Sequence, residues 1–149
     1  MDEIKPLFTA TASVTGGRNG HAAASDGSVS VNLSVPKAMG GPGKPNTTTP
    51  EHLFAAGYAA CFESAIRFVA RKRKLLLEDA AVTATVSLYP SEQGGFRLGV
   101  ALAAETKGLD QAGAEALVLE AHQICPYSNA IRGNIDVALS TVALAAKAA

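Results

Sequence analysis

The longest regular pattern in the chain is helical and covers residues 50–69, PEHLFAAGYAACFESAIRFV. Small and apolar residues recur within it at steps of three and four, which is the spacing of one helix face. We predict that this face points inward and that it consists of Leu53, Gly57, Ala60, Cys61, Ser64, Ala65 and Phe68. The pattern therefore predicts a long helix that is buried on most sides, with one thiol, Cys61, in its middle.

Alternating apolar and polar residues before this helix predict antiparallel strands. Residues 7–14 carry the first strand pattern, and the stretch TGGRNG then indicates a tight turn with Arg18 at its tip. Asp26 and Gly27 mark a second turn, which precedes a strand pattern at residues 29–35. The N-terminal third is thus predicted to be an antiparallel meander, joined to the helix by a glycine- and proline-rich loop at residues 39–50.

The residues after the helix predict a hairpin, a second helix and a last strand. Alternation at residues 82–88 and 96–102 indicates the hairpin. Asp110 is the predicted N-cap of the second helix, which is expected to end at Cys125 because Pro126 disfavours helical geometry in the residue before it. The inward face predicted for this helix consists of Ala114, Leu117, Val118, Ala121 and Ile124.

A short turn closed by Gly133 and a strand at residues 135–139 complete the predicted order. Since this order lacks βαβ alternation, we predict an α+β fold with antiparallel sheets packed around the long central helix. A chain of 149 residues is long enough for one domain with a real core, so residues 1–149 are predicted to form a single domain.

The amino-acid composition limits the classes of binding partner that we expect. Charged residues make up only 17 % of the chain, below the usual quarter, which predicts that another copy of the chain covers part of the surface. The formal net charge of zero gives no electrostatic reason to expect nucleic acid or an anionic membrane as a partner. The N-terminus lacks a signal-peptide pattern and no unbroken apolar run approaches ~18–20 residues, so we expect a soluble cytoplasmic protein.

Cys61 is either a small core residue or a reactive thiol. A thiol attacks as its thiolate, and a cysteine in the middle of a helix needs a nearby cation to ionise. Arg18, on its glycine-rich turn, is the best candidate for that cation, and Glu51 is the candidate carboxylate that would orient it. Ten helical residues span ~15 Å, so Glu51 and Cys61 of one straight helix cannot easily share an arginine. We therefore predict that Arg18 and Glu51 reach the thiol from a partner subunit, or else that the chain folds back around Glu51.

Cys125 is either a buried residue at a helix end or a thiol that condenses with an oxidised Cys61. The second alternative requires Cα atoms within about 7 Å. Zinc held by Cys61, Cys125 and His122 is a further alternative, disfavoured because no short CxxC or HxxxH pair anchors such a site.

Three stretches resemble a known family: PEHLFAAGYAACF around Cys61, AHQICPYSNAIRGNIDV around Cys125, and TGGRNG around Arg18. They resemble the organic hydroperoxide resistance proteins of the Ohr/OsmC superfamily, and the similarity extends over residues 7–141. The context CPYSNA of the second cysteine is similar to the Ohr branch more than to the OsmC branch.

This resemblance implies a thiol peroxidase that needs no metal, haem or flavin. It implies that Cys61 attacks the peroxide and becomes a sulfenic acid, and that Cys125 resolves it as an intrachain disulfide. A dithiol, in this family characteristically a lipoyl group on a carrier protein, then reduces the disulfide. Arg18 and Glu51 match the activating pair of the family. The fold that it implies is an intertwined homodimer of α+β subunits with its active sites at the interface.

Aromatic residues near the thiols suggest the substrate class. An apolar pocket would favour alkyl or fatty-acid hydroperoxides over hydrogen peroxide, since each buried CH₂ contributes ~0.8 kcal/mol. The candidate substrate-binding residues are Phe54, Tyr58, Phe62 and Tyr127. Two other functions stay open: a thiol-disulfide oxidoreductase, although the usual CxxC pair is absent, and a non-catalytic, stress-induced protein that binds hydrophobic ligands.

Overall fold

The computed structural model describes residues 3–145, and the backbone separates into two compact units on either side of the bond between Pro50 and Glu51. That the whole of residues 1–149 acts as one domain stays a prediction. The regular elements are β1 (Ala12–Thr15), β2 (His21–Ala24), β3 (Ser30–Asn32), α1 (Pro50–Lys72), β4 (Asp79–Pro90), β5 (Phe96–Lys107), α2 (Gln111–Ile124), α3 (Pro126–Ile131) and β6 (Val137–Leu144).

The N-terminal unit is the predicted antiparallel meander, with β2 paired to both β1 and β3. The first strand begins at Ala12, later than the sequence pattern indicated. Between β1 and β2 lies a 3-10 turn, Gly17–Asn19, which contains Arg18. The turn depends on Gly20, because a Cβ atom added there would lie 1.6 Å from the carbonyl oxygen of Thr15. The sequence therefore builds a closed glycine-rich turn that presents an arginine.

The C-terminal unit contains a mixed three-stranded sheet in the order β4-β5-β6. The predicted hairpin is confirmed, since β4 and β5 pair antiparallel from Asp79 opposite Lys107 to Pro90 opposite Phe96. The expectation of purely antiparallel pairing is wrong for the last strand, because β6 pairs parallel to β5, from Val137 opposite Val100. Parallel neighbours need a crossover connection of a dozen or more residues, and α2 with α3 supplies it. The fold class is α+β, as predicted.

Helix α1 forms over Pro50–Lys72 with no break, but its buried face is not the predicted one. The face predicted to be inward includes Leu53 and Phe68, which are 37 % and 53 % exposed. The face that is buried instead has the same helical spacing but is shifted by one residue along the sequence. It carries bulkier side chains, so its burial removes more apolar area from water. The buried residues of α1 are Tyr58, Phe62, Ala65, Ile66, Val69 and Ala70.

Helix α1 is also long and apolar enough to cross a membrane, and 33 % of its apolar 18-residue stretch is buried inside the protein. This is weak evidence, because the core helix of a soluble domain satisfies the same criteria. The buried face of α1 packs in one apolar core with residues of β5, including Leu102, and of α2, including Leu117 and Val118. Contacts of this kind account for the apolar character of α1 without a membrane.

The ends of α2 follow the sequence prediction. The Asp110 carboxylate accepts a hydrogen bond of 2.7 Å from the backbone N–H of Gly113, as an N-cap does. At the other end, Cys125 is extended, with φ −61° and ψ 125°, and Pro126 begins α3. Of the predicted inward face, Ile124 is the exception, since it is 38 % exposed. The result places Cys125 in the bend between two helices.

Candidate thiol site

The Sγ atoms of Cys61 and Cys125 lie 3.6 Å apart, and the Cys125 thiol donates its hydrogen toward Cys61. Cys125 is buried, Cys61 is partly exposed, and both are free thiols. A disulfide has an S–S length of ~2.05 Å, so the two sulfurs need to approach by only about 1.6 Å to bond. The structure thus brings the two predicted thiols together, with the accessible one on α1 and the protected one behind it.

The position of Cys125 follows from the local sequence. Its backbone N–H donates to the carbonyl oxygen of Ala121 and so completes the last turn of α2. Its own carbonyl oxygen accepts from the backbone N–H of Asn129, in the first turn of α3. Pro126 separates these two turns because it fixes the extended conformation of the residue before it. Hydrogen bonds on both sides therefore hold the second thiol in the bend.

Burial raises the pKa of the Cys61 thiol, since the surrounding apolar atoms penalise the charged form. The backbone N–H of Tyr127, directed at the Cys61 sulfur, acts in the opposite direction. Within the C-terminal unit, the rise from burial is the larger effect, so the neutral thiol is favoured there. A reactive thiolate at neutral pH therefore needs a positive charge in addition to these groups.

The two residues predicted to supply and orient that charge lie in different parts of the chain. Arg18 lies in the 3-10 turn of the N-terminal unit, and Glu51 lies in the first turn of α1. Because α1 is continuous from Pro50 to Lys72, the expectation that the chain folds back around Glu51 is wrong. Glu51 and Cys61 are ten residues apart on one helix, or ~15 Å along its axis. The alternative that a partner subunit supplies the pair stays a prediction.

A cavity of about 510 Å³ opens beside Cys61. The other residues that line it are Ser64, Ala65, Phe68, Ile124 and Pro126. Helix spacing placed three of these residues on the same face as Cys61, and the other two are sequence neighbours of Cys125. The sequence therefore indicated which residues of α1 lie near Cys61, but it predicted that this side of the helix is packed in the core and not beside a cavity.

None of the four aromatic residues predicted to bind substrate is among the described residues that line this cavity. Tyr58 and Phe62 are fully buried in the core and do not line the cavity. Phe54 and Tyr127 are more exposed, and each has its ring against that of Tyr58, at centroid distances of 6.1 and 5.6 Å. Direct contact with substrate stays a prediction for these four residues, and the complete burial of Tyr58 and Phe62 means that they would act on substrate through packing.

Gly57 lets the Tyr127 ring lie directly against α1. A Cβ atom added at position 57 would lie 2.6 Å from the Tyr127 hydroxyl oxygen and 3.2 Å from the ring. The lack of a side chain at Gly57 therefore permits the close approach of an aromatic side chain from the segment that follows Cys125.

A buried polar network, which sequence reasoning missed, lies one helical turn from the thiols. The Tyr58 hydroxyl is 2.6 Å from Ser128 Oγ, and His122 Nδ1 is 2.8 Å from the same atom. Arg132 donates to the carbonyl oxygen of His122 over 2.6 Å. Burial raises the pKa of Tyr58 and lowers that of His122, so both groups are neutral near pH 7. The sequence did contain a signal for this network, because His122 and Ser128 each lie three residues from Cys125, one on either side.

The geometry around the thiols gives no support to the zinc alternative. Within residues 3–145, the structure contains no cluster of three or more histidine, cysteine, aspartate or glutamate side chains that could hold a metal ion.

Comparison with known proteins supports the resemblance seen in the motifs. The family model of the OsmC-like proteins matches residues 41–140. The chain is 47 % identical over 137 residues to an organic hydroperoxide resistance protein of Xanthomonas axonopodis pv. citri, covering 91 % of this chain and 95 % of that one. It is 46 % identical to the organic hydroperoxide resistance protein OhrA of Bacillus subtilis, with coverage of 91 % and 96 %.

The fold agrees with the same relatives. The crystal structure of an organic hydroperoxide resistance protein from Legionella pneumophila superposes with a TM-score of 0.88 at 56 % identity, covering 92 % of this chain and 98 % of that one. Near-complete coverage in both directions means that the match extends over both units of the chain and not over the thiol motifs alone. The chain therefore belongs to the OsmC-like family, among the organic hydroperoxide resistance proteins.

Proposed function

We propose that this protein is a cysteine-based peroxidase that reduces organic hydroperoxides to alcohols. The observation that carries the proposal is the pair of free thiols with sulfurs 3.6 Å apart, one of them on the wall of an apolar cavity. Membership of the organic hydroperoxide resistance proteins supports the same activity. Cys61 is partly exposed and Cys125 is buried. This arrangement suits a reaction in which Cys61 reacts with the substrate and Cys125 reacts only with Cys61.

The reaction proceeds in two steps on the protein. The Cys61 thiolate attacks the terminal peroxide oxygen, which carries the hydrogen, the O–O bond breaks, and the departing alkoxide takes a proton from water to become an alcohol. Cys61 is then a sulfenic acid. The Cys125 sulfur attacks the Cys61 sulfur, so that an S–S bond forms, the S–O bond breaks, and hydroxide leaves with the thiol proton as water.

A dithiol restores the two free thiols. It attacks the disulfide through a mixed-disulfide intermediate and leaves as its own cyclic disulfide. A lipoyl group on a carrier protein is the reductant that the family resemblance implies, and its alkyl chain suits an apolar cavity. The cytoplasm predicted from the sequence is a compartment in which such reducing dithiols persist.

The working form in this proposal is a homodimer in which Arg18 and Glu51 of one subunit activate Cys61 of the other. Two observations support it. The C-terminal unit raises the pKa of Cys61, so a charge from elsewhere is needed. Glu51 cannot reach the thiol of its own helix across ~15 Å. In addition, Leu53 and Phe68 leave apolar area exposed on the Cys61 side of α1, which a second subunit would cover.

The test is peroxide consumption by the purified, reduced protein with cumene hydroperoxide and dihydrolipoamide. We expect catalytic consumption by the wild type and none by Cys61→Ser. A protein that only binds hydrophobic ligands would consume no peroxide, and a thiol-disulfide oxidoreductase would reduce disulfides while leaving the peroxide intact. Either result would overturn the proposal.

A further inference from the structure

We propose that Tyr58, Ser128 and His122 form a positioning network that holds Cys125 in the place from which it resolves the oxidised Cys61. The inference rests on the proposed function, because it concerns the second of the two chemical steps. The name "Ser128 network" is used below for these three side chains. Within residues 3–145, the side-chain hydrogen bonds of these three residues join them to one another and not to either sulfur, so their role is to place the second thiol.

The hydrogen bonds of the Ser128 network connect all three helices that surround the thiols. Tyr58 belongs to α1, His122 to α2 and Ser128 to α3. A serine hydroxyl has one hydrogen to donate and lone pairs to accept with, so Ser128 can satisfy both partners at once. The observed separations of 2.6 and 2.8 Å are those of well-formed hydrogen bonds. The network is therefore a complete junction and not a loose group of polar side chains.

The position of the Ser128 network along the chain matches that of the thiols. Tyr58 precedes Cys61 by three residues on α1, and Ser128 follows Cys125 by three residues. The Tyr58–Ser128 hydrogen bond therefore joins the same two segments as the sulfur pair, one helical turn away. A slide or rotation of α3 against α1 that separated the sulfurs would also stretch this bond. The bond consequently fixes the offset that leaves the sulfurs 3.6 Å apart.

Apolar packing alone would not give the same control. The surrounding core is apolar, and burial of apolar surface has no preferred direction. A hydrogen bond has a preferred length and angle, so it restricts the register between two helices more than packing does. Because Tyr58 and Ser128 are fully buried, the loss of one partner leaves the other without water to replace it. The junction therefore resists small rearrangements of the thiol bend.

The role is geometric and not one of proton transfer. In the resolving step the thiol proton of Cys125 leaves with the hydroxide as water, so no other group has to accept it. Burial raises the pKa of Tyr58, and burial with the nearby Arg132 lowers that of His122. The raised pKa of Tyr58 and the lowered pKa of His122 both favour the uncharged form of the Ser128 network near pH 7. Its effect is expected on the rate of disulfide formation and not on the pH at which Cys61 ionises.

The experiment measures the two steps separately in Tyr58→Phe and in Ser128→Ala. Reduced protein is mixed with one equivalent of cumene hydroperoxide and quenched at intervals with a thiol-alkylating reagent, and mass spectrometry then counts sulfenic acid, disulfide and free thiol. We expect peroxide consumption in the first step within about twofold of wild type and disulfide formation slowed by about tenfold, the effect of one buried hydrogen bond. Sulfenic acid should accumulate and be trapped by dimedone.

Two control variants and a double variant make the test specific. Tyr89→Phe removes a hydroxyl from an exposed tyrosine outside the Ser128 network and should leave both steps unchanged. Ile66→Val weakens the same core without touching the network, and it should lower the melting temperature while leaving the resolving rate unchanged. The double variant Tyr58→Phe with Ser128→Ala should be no slower than the slower single variant, since both remove one shared bond.

Wild-type rates of disulfide formation in Tyr58→Phe and Ser128→Ala would overturn the inference. So would an equal slowing in Ile66→Val, because the effect would then follow from core stability alone. If one network variant does not fold, the other decides the question. The proposed function fails in a different way, namely if wild-type protein forms no sulfenic acid with the peroxide.

Discussion

Cys61 and Cys125 are separated by 64 positions in the chain, yet their sulfurs lie 3.6 Å apart. One thiol lies in the middle of an uninterrupted helix, and the other lies in a bend that Pro126 imposes between two shorter helices. Their different exposures follow from this arrangement, since only Cys61 lines the cavity.

Removing the second thiol should separate oxidation from recycling. Cys125→Ser keeps the size of the buried side chain but cannot form a disulfide with Cys61, so the variant should reduce about one equivalent of organic hydroperoxide and then stop when only a dithiol is present. The measurement is the stoichiometry of peroxide loss, with the Cys61 sulfenic acid followed by mass spectrometry. Sustained turnover at the wild-type rate would show that Cys125 is not the resolving thiol.

The pH dependence of Cys61 should reveal the charge that activates it. Burial raises the pKa of this thiol, and a raised pKa in an acid means a smaller thiolate fraction at neutral pH. In Arg18→Ala the guanidinium no longer opposes this rise in pKa. The rate of Cys61 alkylation should therefore increase only at pH values above those at which an ordinary cysteine ionises. In the wild type the same rise should occur at lower pH. The measurement is the rate of iodoacetamide alkylation against pH in Cys125→Ser backgrounds.

If the two profiles coincide, Arg18 does not ionise the thiol. Arg97→Ala serves as a control, because it removes a guanidinium that lies over the ring of Tyr89, at the β4–β5 hairpin end and away from the thiols. Its profile should match that of the wild type.

The turn that presents Arg18 should not tolerate a side chain at position 20. Gly20→Ala would place Cβ at 1.6 Å from the Thr15 carbonyl oxygen, so the turn has to open and the arginine has to move. We expect the rate of the first step to fall by about tenfold or more, as removal of a charged hydrogen bond does. Gly27→Ala, in the turn between β2 and β3 of the same unit, is the matched control. It meets no atom within 4 Å and, at a φ of +79°, should cost only stability.

The cavity lining should decide between large and small peroxides. Phe68→Ala removes an aromatic wall beside Cys61 and should raise KM for cumene hydroperoxide by about tenfold, through the loss of apolar contact area. The rate with hydrogen peroxide, which has no apolar group, should stay unchanged. The measurement is kcat/KM for both substrates. An equal loss with both peroxides would mean that Phe68 supports the fold and does not contact the substrate.

A stability prediction concerns the buried face of β5, which also carries Leu102. Thr106 Oγ1 on β5 is buried, and among residues 3–145 it has no hydrogen-bond partner. Thr106→Val replaces the hydroxyl with a methyl group of similar size and should raise the free energy of unfolding by about 1 kcal/mol, because the cost of the unsatisfied hydroxyl disappears. Chemical denaturation measures this change, and peroxide reduction should be unaffected. A lower stability would mean that the hydroxyl is satisfied in solution.

Local sequence rules predicted both ends of α2 and the turn between β1 and β2, whereas they placed the start of β1 too early. The Asp110 cap, the end of α2 before Pro126 and the arginine-bearing turn all depend on a few adjacent residues with strong conformational preferences. The two cysteine stretches were identified for the same reason, as continuous motifs. These are the features for which spacing along the chain is sufficient.

Features that depend on the tertiary arrangement were not predictable. Two overlapping stripes on α1 have the same helical period, and only the volume of Tyr58, Phe62 and Ile66 against the sheet decides which one is buried. The parallel pairing of β6 depends on where α2 and α3 return the chain, which alternation in residues 135–139 does not encode. The Ser128 network was missed because its members come from three helices.

The most direct test of the central claim is the covalent state of the two cysteines after exposure to one equivalent of cumene hydroperoxide. Peptide mass spectrometry of the reduced wild-type protein should then show one intrachain bond between Cys61 and Cys125, with the loss of two hydrogen atoms and the release of one equivalent of alcohol. Two unmodified thiols with the peroxide still intact would contradict the account.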